Sequence, residues 1–251
     1  MGGGIMAVVE KTVDLIGDAA MCDILISREV PEGYPTDIYD DTVKYLKMNA
    51  LYGTKGLHLV HLAALNSIGT ESITHCPDLV KVEAPLAGSI ASSGIRDNPL
   101  LEEVDAPLVT SISSYAFSSD SKLKKAVFPK AVVLDQGAFY GCGAVIQAEF
   151  PRVETIGNYA IGSFVLLEQL DLPSVKTIGY DLVYADSHVT VVNIGPNITS
   201  INASAFRKTS EDLVINLAVA EGVVSGAPWG ATGATINYNV PYSGTVPMPE
   251  D

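Results

Sequence analysis

Five prolines, Pro85, Pro107, Pro129, Pro151 and Pro173, stand 22 residues apart, and Pro196 follows after 23. A fixed period of this length describes a solenoid, because one such unit cannot bury its own apolar side and must stack on its neighbours. Other columns keep the same register. Ile90, Ile112, Leu134, Ile156, Ile178 and Ile201 form one, extended upstream by Ile68 and Leu46. Leu51, Ile73, Ile95, Phe117, Phe139, Ile161, Val183 and Phe206 form another. A small residue precedes each of these (Ala50, Ser72, Gly94, Ala116, Ala138, Ala160, Ala205), except where Leu182 stands. Leu57, Leu79, Leu101, Leu123, Val145, Leu167 and Val189 make the last column.

Each unit reads as one coil. In Leu101 to Pro107, Val104 and Ala106 alternate with Glu103 and Asp105, the period-two pattern of a half-buried strand. Pro107 ends that strand, since it has no ladder donor. Val109 and Ile112 turn inward on a second short extended stretch. Tyr115-Ala116-Phe117 is a tight turn carrying a large core plug, with Ala116 letting the backbone pass close to its neighbour, and Ser118 to Ser121 is a polar loop. Stacking such coils about 4.8 Å apart pairs the strands in parallel and fuses the plugs into one core. The fold predicted is a mainly β repeat solenoid of about seven coils over residues 41–215. A cap over residues 1–40, with a helical stretch from Val8 to Ala20 and a strand from Cys22 to Ile26, precedes them. A C-terminal cap and loose tail over residues 216–251 follow, because open ends and edges must be covered. Trp229, the single tryptophan, reads as the plug of that second cap.

The same count disposes of the cysteines, of which there are three. Cys76 and Cys142 share a repeat position but lie 66 residues apart, which is three coils. Three coils separate them by about 14 Å, whereas a disulfide needs Cα atoms within about 7 Å. They are expected as free thiols, at a position that Asn98, Asp120 and Asp186 fill in other coils and that hydrogen-bonds the loop backbone.

The unit Leu-x-x-Val-x-x-Pro-x-Val-x-x-Ile-x-x-x-Ala-Phe-x-x-Cys, clearest from Leu123 to Cys142 and from Leu101 to Phe117, resembles the BspA-type (treponemal-type) leucine-rich repeats. Departures are local: Ala160 to Phe164 lacks the usual Phe and Cys, Leu182-Val183 replaces Ala-Phe, and one residue is added near Asn193. The flanks, Asp23 to Val30 with Ala50 to Gly53, and Ile215 to Leu217 with Ala227 to Thr232, are similar to the ends of short repeat proteins encoded in bacteriophages and prophages of gut bacteria. That resemblance implies a virion or tail-associated protein, or one acting on a bacterial surface. The N-terminus lacks the basic start and apolar core of a secretory signal, so the expectation is a cytoplasmic location in the producing cell before release by another route.

Composition narrows the partners. With 15 Lys and Arg against 29 acids, net charge −14, the chain has no basic stripe to neutralise phosphates or anionic lipid. No apolar run approaches the roughly 20 residues of a membrane span. No cofactor and no metal are expected. His58, His61, His75 and His188 have no third ligand suitably spaced, and no CxxC cluster is present. Asp186 and His188 lie in a variable loop without a nucleophile elbow, and Gly69 and Gly157 are turn residues rather than phosphate cradles. The sequons Asn197-Ile198-Thr199 and Asn202-Ala203-Ser204 matter only in a secreted eukaryotic context.

Two surface features remain. Two residues before each proline stand Glu83, Asp105, Val127, Glu149 and Asp171, with His61 upstream: a carboxylate column on one face of a parallel sheet. It reads as a solvated face that resists aggregation, as a surface for a basic partner, or as a calcium site, the last against the lack of Gly-rich calcium repeats. The loops after the Ala-Phe turn offer Arg96-Asp97, Tyr140, Phe164, Tyr184 and Arg207-Lys208, residue types common in binding hot spots, although such tyrosines also cover neighbouring coils. The functional expectation is a non-catalytic solenoid that binds a protein or cell-surface glycan of a bacterial host. A purely structural virion component or spacer is the alternative.

Overall fold

The computed structural model describes residues 37–41, 43–183, 188–207, 209 and 211–249. The helix and strand expected between Val8 and Ile26, and Cys22, lie outside the described residues. Two sets of short parallel strands run along the molecule, and the coils from β3 to β13 carry one strand of each. The first set is β1 (Asp37–Asp40), β2 (Leu59–Leu62), β3 (Lys81–Glu83), β5 (Glu103–Asp105), β7 (Lys125–Val127), β9 (Gln147–Glu149), β11 (Gln169–Leu172), β13 (Val191–Ile194), β15 (Val214–Leu217) and β16 (Thr235–Asn237). The second is β4 (Ser89–Ile90), β6 (Ser111–Ile112), β8 (Val133–Leu134), β10 (Thr155–Ile156), β12 (Thr177–Ile178) and β14 (Ser200–Ile201), a continuous six-stranded sheet. The first set pairs as three segments, β1-β2-β3-β5, β7-β9 and β11-β13-β15-β16. The solenoid has about nine turns rather than the seven counted from the sequence. The additions are at the ends, where β1 pairs in register with β2 and β16 with β15.

The repeat columns are the core. The three apolar columns and the small-residue column are buried along their described lengths. The turn ahead of each plug from Leu51 to Val183 is set by a residue with a left-handed backbone: Asn49, Glu71, Ser93, Tyr115, Gly137, Tyr159 and Asp181, again 22 residues apart. The amide of that residue donates to the next coil, as Tyr115 does to the Gln136 carbonyl at 2.9 Å and Tyr159 to that of Tyr180 at 2.7 Å. The plug's own amide donates to the small residue of the next coil, Phe117 to Ala138 and Phe139 to Ala160, both at 2.8 Å. A larger side chain at that small position would block this approach, which explains its composition. The 23-residue coil closes through Gly195, where an added Cβ would lie 1.8 Å from the Pro173 carbonyl oxygen.

The position shared by the cysteines forms its own ladder. Cys76 N–H donates to Asn98 Oδ1 at 2.9 Å, and Asn98 N–H to Asp120 Oδ1 at 2.8 Å. Each side chain also reaches back 25 residues: Cys76 Sγ to the Leu51 carbonyl, Asn98 Nδ2 to that of Ile73 and Cys142 Sγ to that of Phe117. Cys76 and Cys142 are both buried. Phe164 stands at the next step of this ladder, 22 residues beyond Cys142, and is buried. Its ring meets Phe139 edge-on at 5.6 Å. The reading of Phe164 as an exposed loop contact is therefore corrected: it fills the column in a coil whose plug is the smaller Ile161.

At the C-terminal end Trp229 is fully buried against Phe206, and its Nε1–H donates to the Ser225 carbonyl at 2.8 Å, as expected of a cap plug. The stretch after Pro241 is not loose over its described residues. It folds back onto β11, where Thr245 donates to Asp171 Oδ2 from both its amide, at 2.6 Å, and its hydroxyl, at 2.7 Å.

Candidate functional site

Alternate residues of the long strands point away from the core, giving two parallel columns on an outer face. One runs Lys81, Glu103, Lys125, Gln147 and Gln169, and the other His61, Glu83, Asp105, Val127, Glu149 and Asp171. The pairing places Glu83 opposite Asp105 across β3 and β5. Glu149 and Asp171 sit on β9 and β11, which belong to different hydrogen-bonded segments.

The like charges are managed by neighbours. Lys81 Nζ lies 2.8 Å from Glu83 Oε1 and 3.5 Å from Glu103 Oε1, and His61 Nδ1 lies 2.7 Å from Glu83 Oε2. These bonds from Lys81 and then His61 hold the Glu83 carboxyl below its ordinary range. Lys124 pairs in the same way with Glu102 of the preceding coil at 2.5 Å. Glu149 accepts from Gln147 Nε2 at 2.6 Å. Asp105 is open to solvent.

Asp171 differs from the rest of its column and is corrected as an open surface carboxylate. It is only 3% exposed. Its oxygens accept from Gln169, from Asn193 Nδ2 at 2.7 Å and from Thr245. Downstream the column changes chemistry: Asn216 Nδ2 donates to Asn193 Oδ1 and Asn237 Nδ2 to Asn216 Oδ1, both at 2.9 Å. An amide can donate to one neighbour and accept from the other, so it stacks without the repulsion of carboxylates. Beside Asp171 lies a groove of about 440 Å³, bordered by Ile146, Glu149, Leu166 and Gln169 and closed at one side by Thr245 and Val246.

Of the loop candidates, Tyr140 is exposed, while Arg96 and His75 both pair with Asp97. Tyr184 and Asp186 lie outside the described residues, as does Lys208. Among the described residues no group of three His, Cys, Asp or Glu converges as a metal would require, and no helix is long and apolar enough to cross a membrane.

A second concavity was not singled out from the sequence. Tyr115, Tyr140, Tyr159 and Tyr180, with Asp181 and Arg207, line a groove of about 530 Å³ beyond the second set of strands. Its signal was present, since Tyr115 and Tyr159 occupy one column two periods apart with Gly137 between them.

The BspA-type leucine-rich repeat region matches residues 36–145 and 110–218, in six copies. The chain belongs to the BspA-type leucine-rich repeat family. Its coils are thus stacked BspA-type repeats, and the outer face is the exposed side of their parallel ladder. Among solved structures, the chain is similar to a leucine-rich cell surface protein from Faecalibacterium prausnitzii (TM-score 0.47, 21% identity, covering 84% of this chain and 59% of that one). It is similar also to a leucine-rich repeat protein from Bacteroides ovatus (TM-score 0.31, 13% identity, 82% and 73%). A third is the pneumococcal vaccine antigen PcpA (TM-score 0.34, 14% identity, 84% of each). The chain therefore spans less than two thirds of the first of these. None of the curated proteins compared with the chain matches it.

Proposed function

We propose that this BspA-type chain is a non-catalytic recognition solenoid, which binds a basic protein surface through the outer face of its long ladder and works on a virion or a bacterial surface. The observation that carries the reading is that face itself. Its backbone is fixed by parallel pairing, while its outward columns hold different side chains from coil to coil. An invariant scaffold with a variable, rigid face suits recognition, because little conformational freedom is lost on binding. The carboxylates Glu83, Asp105 and Glu149, beside the exposed apolar Ile146 and Leu166, match a partner that is cationic with an apolar centre. The virion setting rests on the flanks' similarity to phage-encoded repeat proteins.

The test is binding of purified chain to cells of a candidate gut-bacterial host across a salt series. Saturable binding that weakens with salt, and weakens at least tenfold in a chain carrying Asp105→Lys and Glu149→Lys, is expected. Co-purification with virions or self-assembly without saturable host binding would replace this reading by the structural one. Tail and lysis genes beside the coding sequence would support the virion setting, and ordinary metabolic operons would remove it.

A further inference from the structure

We infer that the tyrosine groove is a binding site for a neutral oligosaccharide, whose sugar rings lie on the faces of Tyr140, Tyr159 and Tyr180 and whose hydroxyls bond to the paired Tyr115 and Tyr159 hydroxyls and to the Asp181–Arg207 pair. The site shares no lining residue with the groove beside Asp171 and does not depend on the outer-face reading.

Tyr159 is its centre. Its ring lies 6.2 Å from Tyr115, 5.8 Å from Tyr140 and 5.5 Å from Tyr180, all of them tilted or edge-on to it. The rings therefore form a facetted concave wall rather than a closed stack. Tyr140 is 51% exposed and open to a ligand. The wall is built by one substitution in the repeat. The left-handed position holds Tyr115 and Tyr159 but Gly137 in the coil between them, and a Cβ there would meet the Tyr115 ring at 2.7 Å and the Tyr159 ring at 3.0 Å. Without that Cβ the two phenols close across two coils, and their hydroxyl oxygens lie 2.5 Å apart.

The hydroxyl chemistry is incomplete on the protein side. Gln136 Nε2 donates to both phenol oxygens, at 2.9 and 2.5 Å. One phenol proton spans the short contact between the rings, which leaves the other phenol proton to donate outward. Either hydroxyl can give the shared proton, and whichever phenol accepts it keeps its own proton for an outward partner. At the far wall Arg207 forks onto the Asp181 carboxylate, with Nη2 to Oδ2 at 2.6 Å and Nε to Oδ1. This presents a planar, rigid edge of donors and acceptors.

The pair is neutral as a unit, and among the described residues no other charged side chain lines the groove. A charged ligand would find no counter-charge there, whereas a neutral sugar needs none. Its weakly positive C–H faces suit the negative faces of the rings, and its hydroxyls both donate and accept. The volume suits a few sugar residues and not a folded domain.

The experiment titrates the full chain with maltohexaose, cellohexaose, chitohexaose and mannohexaose by calorimetry, with a decaproline peptide as the rival for an aromatic groove. Saturable binding of at least one oligosaccharide is expected, weakened at least tenfold by Tyr140→Ala and by Tyr159→Phe, with Asp105→Lys binding as the parent does. Tyr140 is exposed, so its variant should keep the parent's thermal midpoint and report on the site even if Tyr159→Phe disturbs the fold. Failure of all four sugars to bind, binding that survives Tyr140→Ala, or capture of decaproline in their place overturns the proposal.

Discussion

Asp120 occupies the same place in its coil as Asn98 and Cys142 in theirs, but makes only half of their bonds. Its Oδ1 accepts from Asn98 N–H, while its buried Oδ2 has no partner. Asn98 at the equivalent atom donates to a carbonyl 25 residues back, and a protonated Asp120 would do the same toward Ile95. Burial pushes the Asp120 carboxyl well above the usual range and the neighbouring Asp97 charge adds to this, against the pull of the Asn98 amide. The folded chain thus keeps the proton to higher pH than the unfolded chain, whose aspartates titrate at about 3.9. Stability from this group is complete below that value and is lost as pH rises through the folded value. Asp120→Asn supplies the missing donor at every pH. It should raise the thermal midpoint at pH 7, with an advantage that shrinks toward pH 4; an equal or lower midpoint at pH 7 would refute the assignment. The plugs respond differently, since Phe139 stacks on Phe117 at 4.8 Å and also touches Phe128, Phe150 and Phe164. Phe139→Ala should cost about 3–5 kcal/mol in urea unfolding, and Val127→Asp, on the outer face, about 1 kcal/mol or less. Comparable losses would mean that the inside and outside of the coil are misassigned.

At the scale of elements, the C-terminal stretch acts on the ladder through one carboxylate. Burial alone would raise the Asp171 carboxyl, but donors from Asn193, Thr245 and Gln169 outweigh it and hold the group below its ordinary value. A depressed folded value means that the stabilisation is present above about 3.9 and is lost as pH falls through the folded value. Acidification should release the strap before the sheets open, seen as movement of the Thr245 amide resonance while that of Val192, inside β13, stays in place. Asp171→Asn should do the same at neutral pH, because it turns an NH₂ group toward donors; faster exchange at Thr245 and Val246 with unchanged protection at Val192 is the expected result. Unchanged exchange at Thr245 would show that the strap is held by packing alone. This contact spans 74 residues and follows no period, so nothing in the sequence could announce it. The columns were legible because stacking forces one residue type to recur at one count. Phe164 shows the limit of reading by residue type: a phenylalanine after a turn suggests a loop contact, yet counting 22 from Cys142 places it in the buried ladder. The tyrosine wall lay between these cases. Its column could be counted, but its closure depends on the missing Cβ of Gly137.

Over the whole molecule, the core is continuous but uneven. The early coils are plugged by Leu51, Ile73 and Ile95, whereas the central ones join Phe117, Phe128, Phe139, Phe150 and Phe164 in one aromatic cluster. In a solenoid most contacts join neighbouring coils, so stability is close to a sum of coil and interface contributions, and end coils have one interface instead of two. Larger apolar area at the centre makes those interfaces the strongest. Unfolding should therefore proceed inward from the ends, and the two buried thiols are placed to report it. Cys76 lies among the early coils and Cys142 beside the aromatic cluster, and neither is exposed. Burial, with the Asp120 charge beside it, pushes the Cys142 thiol up, so native-state rates would confuse reactivity with access. Midpoints in urea avoid this, because the unfolded thiols are chemically alike. With Cys22→Ser in the background, Cys76 should become reactive toward an aromatic disulfide reagent at lower urea than Cys142. Phe139→Ala, by weakening the centre, should bring the Cys142 midpoint down toward that of Cys76. A single shared midpoint in the parent chain would mean that the coils unfold as one cooperative unit, and that neighbour contacts alone do not describe this solenoid.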